Sequence, residues 1–351
     1  MANVWYNYGL SNVHDAVVMA SENKLPGLRL IGSHQDRYAP VLQVADAAFV
    51  EPNFATGTAD GAAAYVAYCL DVCRTRSVDL FVVQGGRRAL ADHVEDFRAA
   101  GTQLMVPGNT ATLRLLDDKA RFYDAALPLG LPMPWTAEVH DADGFDAAIA
   151  CLAKRGTDMC VKPPKGIFGA GFWRLDDALP LFESLMWPDL HAISTAKMRA
   201  AFELTVNKRL LVMEYLPGVE WSVDCLCDAG RMLAGISRRK LGRAQLIEVE
   251  GPMIDLARQT IAAFGLSGLI NVQFKAAGPN DTDPRLLEVN ARMSGGCLYT
   301  RASGVNLPWW QVAIALGART ADQIPTPVGG ALVGSIMVAQ HIAESFADPV
   351  L

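Results

Sequence analysis

Hydrophobic and polar positions change their spacing along the chain. Up to Pro107, short apolar runs alternate with stretches of helical period. Val4–Tyr8 is rich in β-formers, Val13–Ser21 has helical spacing, and Leu28–Gly32 reads as a buried strand. Ala62, Tyr65, Val66, Cys69, Leu70 and Cys73 recur at helical spacing, and Asp79–Val83 is a further short strand that runs into Gln84-Gly85-Gly86. This alternation predicts a parallel sheet covered by helices. In such sheets ligands collect at the carboxyl ends of the strands. No Gly-x-Gly-x-x-Gly follows the first strand, so no dinucleotide site is read there. Pro107-Gly108-Asn109 marks a boundary, with Asn109 as the cap of a helix that carries Lys119. Pro128 weakens that helical stretch and Gly130-Leu131-Pro132-Met133-Pro134 stops it.

Beyond Trp135 the spacing turns to mixed helices and antiparallel strands. Cys160-Val161-Lys162 ends a strand and enters Pro163-Pro164-Lys165-Gly166-Ile167-Phe168-Gly169-Ala170-Gly171. Leu210–Glu214 is a strand followed by Tyr215-Leu216-Pro217-Gly218. Glu220–Cys227 and Arg231–Arg238 form a hairpin through Asp228-Ala229-Gly230. Leu269–Ala276 and Leu286–Asn290 form a second, across the polar loop Gly278–Pro284. The pattern predicts an α/β region followed by an α+β nucleotide domain.

Composition narrows the class. The chain has 351 residues, 51% of them hydrophobic, which is enough for two or three cores and argues against disorder. With 31 Lys+Arg against 37 Asp+Glu the net charge is −6. That argues against nucleic-acid binding through bulk positive charge and leaves small anionic ligands open. Seven Cys without a Cys-x-x-Cys pair read as free thiols in a reducing compartment. The opening residues lack a basic region followed by an apolar run. The apolar stretch Val328–Ala339 is shorter than the ~20 residues a membrane-spanning helix needs. A cytoplasmic protein without a membrane partner is expected.

Several segments carry chemistry. On a strand, Glu288, Asn290 and Arg292 share one face of Leu286-Leu287-Glu288-Val289-Asn290-Ala291-Arg292, roughly 6.6 Å apart in sequence order. Such a row can grip Mg²⁺ bound to polyphosphate, and it equally fits a solvated face. The partner strand tilts the balance, because Gln273 and Lys275 share a polar face opposite Val272 and Phe274 and pairing can set Gln273 beside Glu288. The glycine run Gly166–Gly171 can bring backbone N–H groups to an anion, with Lys162 and Lys165 adding charge, and fits a plain turn as well. In Val212–Glu220 the chain leaves a strand and crosses over, which suits a hinge whose backbone meets an adenine edge with Glu220 on ribose hydroxyls, and equally a loop with an ordinary surface acid. Arg238-Arg239-Lys240 with Arg243 reads as a basic run between two strands, either a solvated turn or a source of one cation for phosphate or an acidic substrate. Arg301, behind Ser294-Gly295-Gly296, suits a substrate carboxylate or a surface pair. Cys225, Cys227 and Cys297 are read as core or wall residues.

In this order, Lys119, Lys162-Pro163 with the glycine loop, EYLPGVE, Gln273 and Glu288-x-Asn290-x-Arg292 resemble the ATP-grasp superfamily. LLEVNARMSGG with NVQF upstream is similar to its carbamoyl-phosphate synthetase and D-alanine–D-alanine ligase branch. The opening, VWYNYGLSNVHDA and IGSHQDRYAPVLQVADAAFVEP, resembles ATP-grasp proteins of tellurite-resistance-type gene clusters. The resemblance implies a Rossmann-like pre-ATP-grasp domain over 1–108 and a two-lobed ATP-grasp domain over 109–345, its lid lobe near 135–212. It implies a biosynthetic ligase that activates a carboxylate as an acyl phosphate with ATP and Mg²⁺ or Mn²⁺. Lys119 and Lys162 would hold the α and β phosphates, and Gly166, Gly169 and Gly171 would close over the β and γ phosphates. Met213, Glu214 and Leu216 would frame adenine and Glu220 would bind ribose. Glu288 and Asn290 would bind the metal with help from Gln273. Arg292 would stabilise the acyl phosphate. Arg239, Lys240, Ser294, Gly295 and Arg301 are the candidates for substrate. The glycine loop departs from the family in carrying bulky Ile167 and Phe168. Expected partners are small carboxylates and amines, with a homodimer as an option and no nucleic acid. The competing readings are a carbamoyl-phosphate-type kinase and a nucleotide-binding protein without turnover.

Overall fold

The computed structural model describes residues 2–166, 169–179, 191–203, 208–278 and 283–336, with the single positions 182, 186, 338, 339, 341 and 342. The chain divides into two compact units. One comprises Met1–Arg114, Trp221–Gln273 and Val289–Leu351; the other comprises Leu115–Glu220 and Phe274–Glu288.

The first unit opens with β1 (Ala2–Tyr6), α1 (Asn12–Ser21), β2 (Leu28–His34), α2 (Val41–Val44), β3 (Ala47–Val50), α3 (Ala59–Thr75), β4 (Leu80–Val82), α4 (Arg87–Leu90), α5 (Val94–Ala99) and β5 (Gln103–Met105). The strands form a parallel sheet of order β3-β2-β1-β4-β5. Alternation sends Val4 and Tyr6 to one face and Trp5 to the other. Trp5 stacks on Phe81 with ring centroids 4.0 Å apart, in a cluster with Ile31, Tyr65 and Phe97. Val4, Tyr6 and Leu30 pack with Val13 and Val17 of α1 and with Leu226, Ile236 and Leu269 from the third sheet. The expected α/β region is present. Asn109 caps α6 (Thr110–Leu116), its Oδ1 accepting from the Thr112 N–H at 2.8 Å. Lys119 is not on that helix. The chain breaks at Asp117-Asp118, and Lys119 starts α7 (Lys119–Ala126) with Asp118 as its cap.

The second unit holds β6 (Thr136–Val139), α8 (Ala142–Ala153), β7 (Met159–Lys162), β8 (Trp173–Leu175), β9 (Ala192–Ile193), α9 (Thr195–Glu203) and β10 (Leu210–Glu214), in a mixed sheet of order β6-β10-β7-β8-β9. Val161 and Val212 enter a core with Phe145, Leu152 and Phe202 from the helices on one face. Cys160, Leu211 and Met213 face the other way and meet Ala120 of α7.

The third sheet has order β15-β14-β11-β12-β13-β16, built from β11 (Glu220–Asp228), β12 (Arg231–Leu241), β13 (Ala244–Glu248), β14 (Gly268–Ala276), β15 (Pro284–Asn290) and β16 (Leu332–Val333). The hairpin of β11 and β12 is antiparallel, with Ser222 opposite Arg238. Helix α10 (Pro252–Phe264) packs on β12, and α11 (Leu307–Ala315) carries Trp310 into the first unit's core. A parallel sheet domain followed by mixed and antiparallel sheets is the expected fold class. Among the described residues no helix is long and apolar enough to cross a membrane.

Candidate functional site

In the second unit, period-two alternation places Cys160 and Lys162 on the face of β7 that α7 covers. The backbone N–H of Lys119 donates to the Pro164 carbonyl at 2.8 Å, tying the start of α7 to the segment after β7. Asp118, almost fully buried, holds that corner by accepting from the Arg209 guanidinium at 3.1 Å, with the Lys165 ammonium at 3.9 Å. The Lys119 ammonium donates to the Gly166 carbonyl at 3.0 Å and lies 3.3 Å from Glu288 Oε2. Burial holds the Lys162 amine below the usual lysine range; the field of Glu288 opposes that shift and the charge of Lys119 adds to it. Two ammonium groups therefore share the field of one carboxylate. Gly169 and Gly171 adopt left-handed backbone, and a Cβ on Gly171 would press into the Pro163 ring. Ile167 and Phe168 lie outside the described residues.

Past β10, the Glu214 carboxylate accepts from the Trp135 N–H at 3.1 Å and faces Arg285 at 3.9 Å. Its side chain is thus committed to the scaffold. The Tyr215 N–H is used on the Asp158 carbonyl at 2.8 Å. Met213 and Leu216 are buried, and Arg174 and Lys275 each lie 5.6 Å from the centre of the Tyr215 ring. Gly218 donates to the Ala276 carbonyl, and a Cβ there would overlap Ala276 and the Gly278 carbonyl. Glu220 is half-buried at the start of β11.

In the first unit, Ser222, Asp224, Arg238, Asn271, Gln273 and Asn290 stand on adjacent strands of the third sheet. Leu226, Ile236 and Leu269 are two residues along from Asp224, Arg238 and Asn271, so the face that packs the core turns polar one step further on. Arg238 is 3% exposed. Its Nε donates to Asp224 at 2.7 Å, and its two Nη groups donate to Gln245 at 2.6 Å and to Ser222 and Ser294 at 3.0 Å each. The Asn271 amide nitrogen donates to Ser222 at 2.9 Å and Asp224 at 3.0 Å. Its oxygen accepts from Gln273 at 3.2 Å and Asn290 at 3.4 Å. A Cβ on Gly296 would overlap the Arg238 guanidinium, which is why the motif carries glycine there.

Two expectations change, the placement of the basic run and that of Arg292. The basic run is not a turn between strands: Arg238, Arg239 and Lys240 belong to β12, with Arg238 buried and saturated, Arg239 over the Trp221 ring at 6.0 Å and Lys240 exposed. Arg292 is not on the strand row. β15 ends at Asn290, and the Arg292 N–H closes a tight turn onto the Asn290 carbonyl at 2.7 Å. Its guanidinium reaches back to Asn290 Oδ1 at 3.2 Å. Ser294 holds Arg238, and Gly295 is exposed beside it. Arg301 pairs with Glu22 on the surface. Cys225, Cys227 and Cys297 are buried. Asp224, Ser222 and Asn271 escaped the sequence reading. Their signal was a polar residue inside apolar runs, WSVDCLC and LINVQF, where only a hydrogen-bonded partner permits burial.

Among the described residues no group of three or more His, Cys, Asp or Glu could hold a metal. The oxygen donors expected for a metal are the Glu288 carboxylate and the amides of Gln273 and Asn290. Oxygen donors of this kind fit a Mg²⁺ that keeps waters and phosphate oxygens.

Through its residues 206–337 the chain is similar to the ATP-grasp superfamily. Those residues match the model of the family described as ATP-grasp in the biosynthetic pathway with Ter operon. Human carnosine synthase 1 is 32% identical over 152 residues, covering 38% of this chain and 18% of that protein. The carbamoyl phosphate synthase large chain of Thermomicrobium roseum is 25% identical over 258 residues, covering 69% and 22%. The chain thus spans about a fifth of these relatives' length. The ADP complex of N5-carboxyaminoimidazole ribonucleotide synthetase superposes with TM-score 0.64 at 14% identity, over 94% of this chain and 78% of that one. At that identity the likeness speaks for the fold alone.

Proposed function

We propose that the chain is an ATP-dependent carboxylate–amine, or carboxylate–thiol, ligase. The acid oxygen attacks the γ-phosphorus, ADP leaves, and the amine or thiol then displaces phosphate from the acyl phosphate. The observation that carries this reading is the pair Lys119 and Lys162 sharing the field of Glu288, a site short of negative charge that a polyphosphate would complete. Lys119 and Lys162 bind the α and β phosphates, and Gly166, Gly169 and Gly171 supply backbone N–H groups to the β and γ phosphates. The Glu214 carbonyl and the Leu216 N–H meet the adenine edge beside Met213, while Glu220 takes the ribose. Glu288, Asn290 and Gln273 would hold Mg²⁺, which would neutralise charge on the transferring phosphoryl group. Arg292 stabilises the acyl phosphate and the tetrahedral intermediate. Arg239, Lys240, Ser294 and Gly295 border the substrates.

ADP release measured against a panel of small acids, amines and thiols tests this. Turnover is expected only when an acid and a nucleophile are both supplied. ADP release with the acid alone would make the chain a kinase, and Mg²⁺-dependent nucleotide binding without turnover on any pair would make it a binding protein.

A further inference from the structure

Resting on that reading, we propose that Arg238, Asp224 and Asn271 form a buried polarity relay that turns the amide oxygens of Gln273 and Asn290 toward the cation. An amide is ambiguous by itself, since its two ends have nearly the same shape and opposite hydrogen-bonding character. The relay removes the ambiguity one atom at a time. Arg238 has only donors, and its Nε meets Asp224 Oδ2 at 2.7 Å. Ionised Asp224 has only acceptors, and its Oδ1 faces Asn271 at 3.0 Å. Asn271 must therefore present its NH₂ to Asp224, which leaves its carbonyl oxygen facing the other way. That oxygen meets Gln273 at 3.2 Å and Asn290 at 3.4 Å, and it can only accept. Both amides must point NH₂ inward, so both oxygens point outward, as cation ligands require. Asn290 Oδ1 also receives the Arg292 guanidinium at 3.2 Å, which fixes the same orientation from outside.

Asn271 is fully buried, and Asp224 and Arg238 are nearly so, at 2% and 3% exposure. Water cannot substitute for a missing partner there, and the low dielectric strengthens each bond in the chain. The relay residues touch neither nucleotide nor reacting atoms, so they are positioning residues.

Asp224→Asn tests the relay. Arg238 keeps the new amide's oxygen toward itself, so the new NH₂ faces Asn271 and inverts it. Gln273 and Asn290 then turn their NH₂ groups toward the cation. The readout is ADP affinity by calorimetric titration with and without Mg²⁺, alongside the melting temperature. In Asp224→Asn the Mg²⁺ enhancement of ADP binding is expected to fall at least tenfold, while affinity without Mg²⁺ is preserved. The double variant Asp224→Asn/Asn271→Asp restores an acceptor-only group at 271 and should recover the enhancement to within about threefold, an outcome a merely structural role does not give. A folded Asp224→Asn protein with wild-type enhancement overturns the relay, as does a folded double variant that lacks it. If Asp224→Asn does not fold, the double variant decides alone. Wild-type protein that binds ADP identically with and without Mg²⁺ overturns the nucleotide–metal reading itself, and the relay with it.

Discussion

Two regions of this molecule house buried positive charge by opposite means. In the second unit, Lys119 and Lys162 share the field of one carboxylate and one loop carbonyl, and burial disfavours the charged Lys162. In the first unit, Arg238 is buried further, yet every nitrogen of its guanidinium has an acceptor. The difference separates binding from building. A cation whose partners are already complete has nothing left for a ligand, however central its position. A cation held with too little negative charge around it is favoured by whatever anion arrives. Basic residue type alone is a poor guide to phosphate contacts, and saturation is the better one.

Removing Lys162 is the strongest way to break this contrast. Lys162→Ala deletes the amine that has only shared compensation, and a charge-assisted contact is worth ~1.5–3 kcal/mol. ATP affinity should fall roughly 10- to 150-fold, read by titration at fixed Mg²⁺. The fold should tolerate the change, because desolvation of the ammonium goes with it. Unchanged affinity would remove Lys162 from the phosphate role.

Glu51 sharpens the comparison with the opposite charge. It is 3% exposed beside the parallel sheet and accepts from the Ser33 hydroxyl at 2.6 Å, the Tyr8 N–H at 2.8 Å and the Tyr65 hydroxyl at 3.3 Å. All three donors are neutral. Burial outweighs them and pushes the carboxyl up to about 7. The folded state therefore holds this proton more tightly than the unfolded chain does. The stability it contributes is present below about pH 4.5, declines as pH rises, and is lost above about 7. Glu51→Gln lacks this titration, so its stability relative to wild type should rise by about 2–3 kcal/mol between pH 5 and pH 8. Chemical denaturation across that range checks it, and a pH-independent difference would mean that Glu51 stays ionised when buried.

The sheets were legible because their signals are local. The alternation in β14 and β15 and the turn Asp228-Ala229-Gly230 each lie within a few residues. The candidate ligands were legible for the same reason, since Glu288 and Asn290 belong to one strand. The relay was hidden because its bonds join residues 14 to 47 positions apart, and only strand order brings Asp224 beside both Arg238 and Asn271. The start of α7 at Lys119 was missed because the break depends on Asp118 being fixed by Arg209, 91 positions away. Arg292 was misplaced by one step of extrapolation, as strand alternation was continued past the residue where the turn closes.

Arg301 gives the smallest effect and the cleanest check on saturation as a criterion. It follows the glycine pair of the motif closely enough in sequence to invite a substrate role, but its guanidinium is paired with Glu22 and 43% exposed. An exposed pair of this kind contributes less than ~1 kcal/mol, because water screens both partners and two long side chains lose freedom in meeting. Arg301→Ala should therefore lower the melting temperature by only a few degrees. It should leave the acid dependence of ADP release where it was, since a guanidinium already matched by a carboxylate has little attraction left for a second one. A selective rise in the acid's KM at constant kcat would show that Arg301 exchanges Glu22 for substrate. Pairing in the resting protein would then be a poor criterion for half-exposed cations, and saturation would discriminate only where water is excluded.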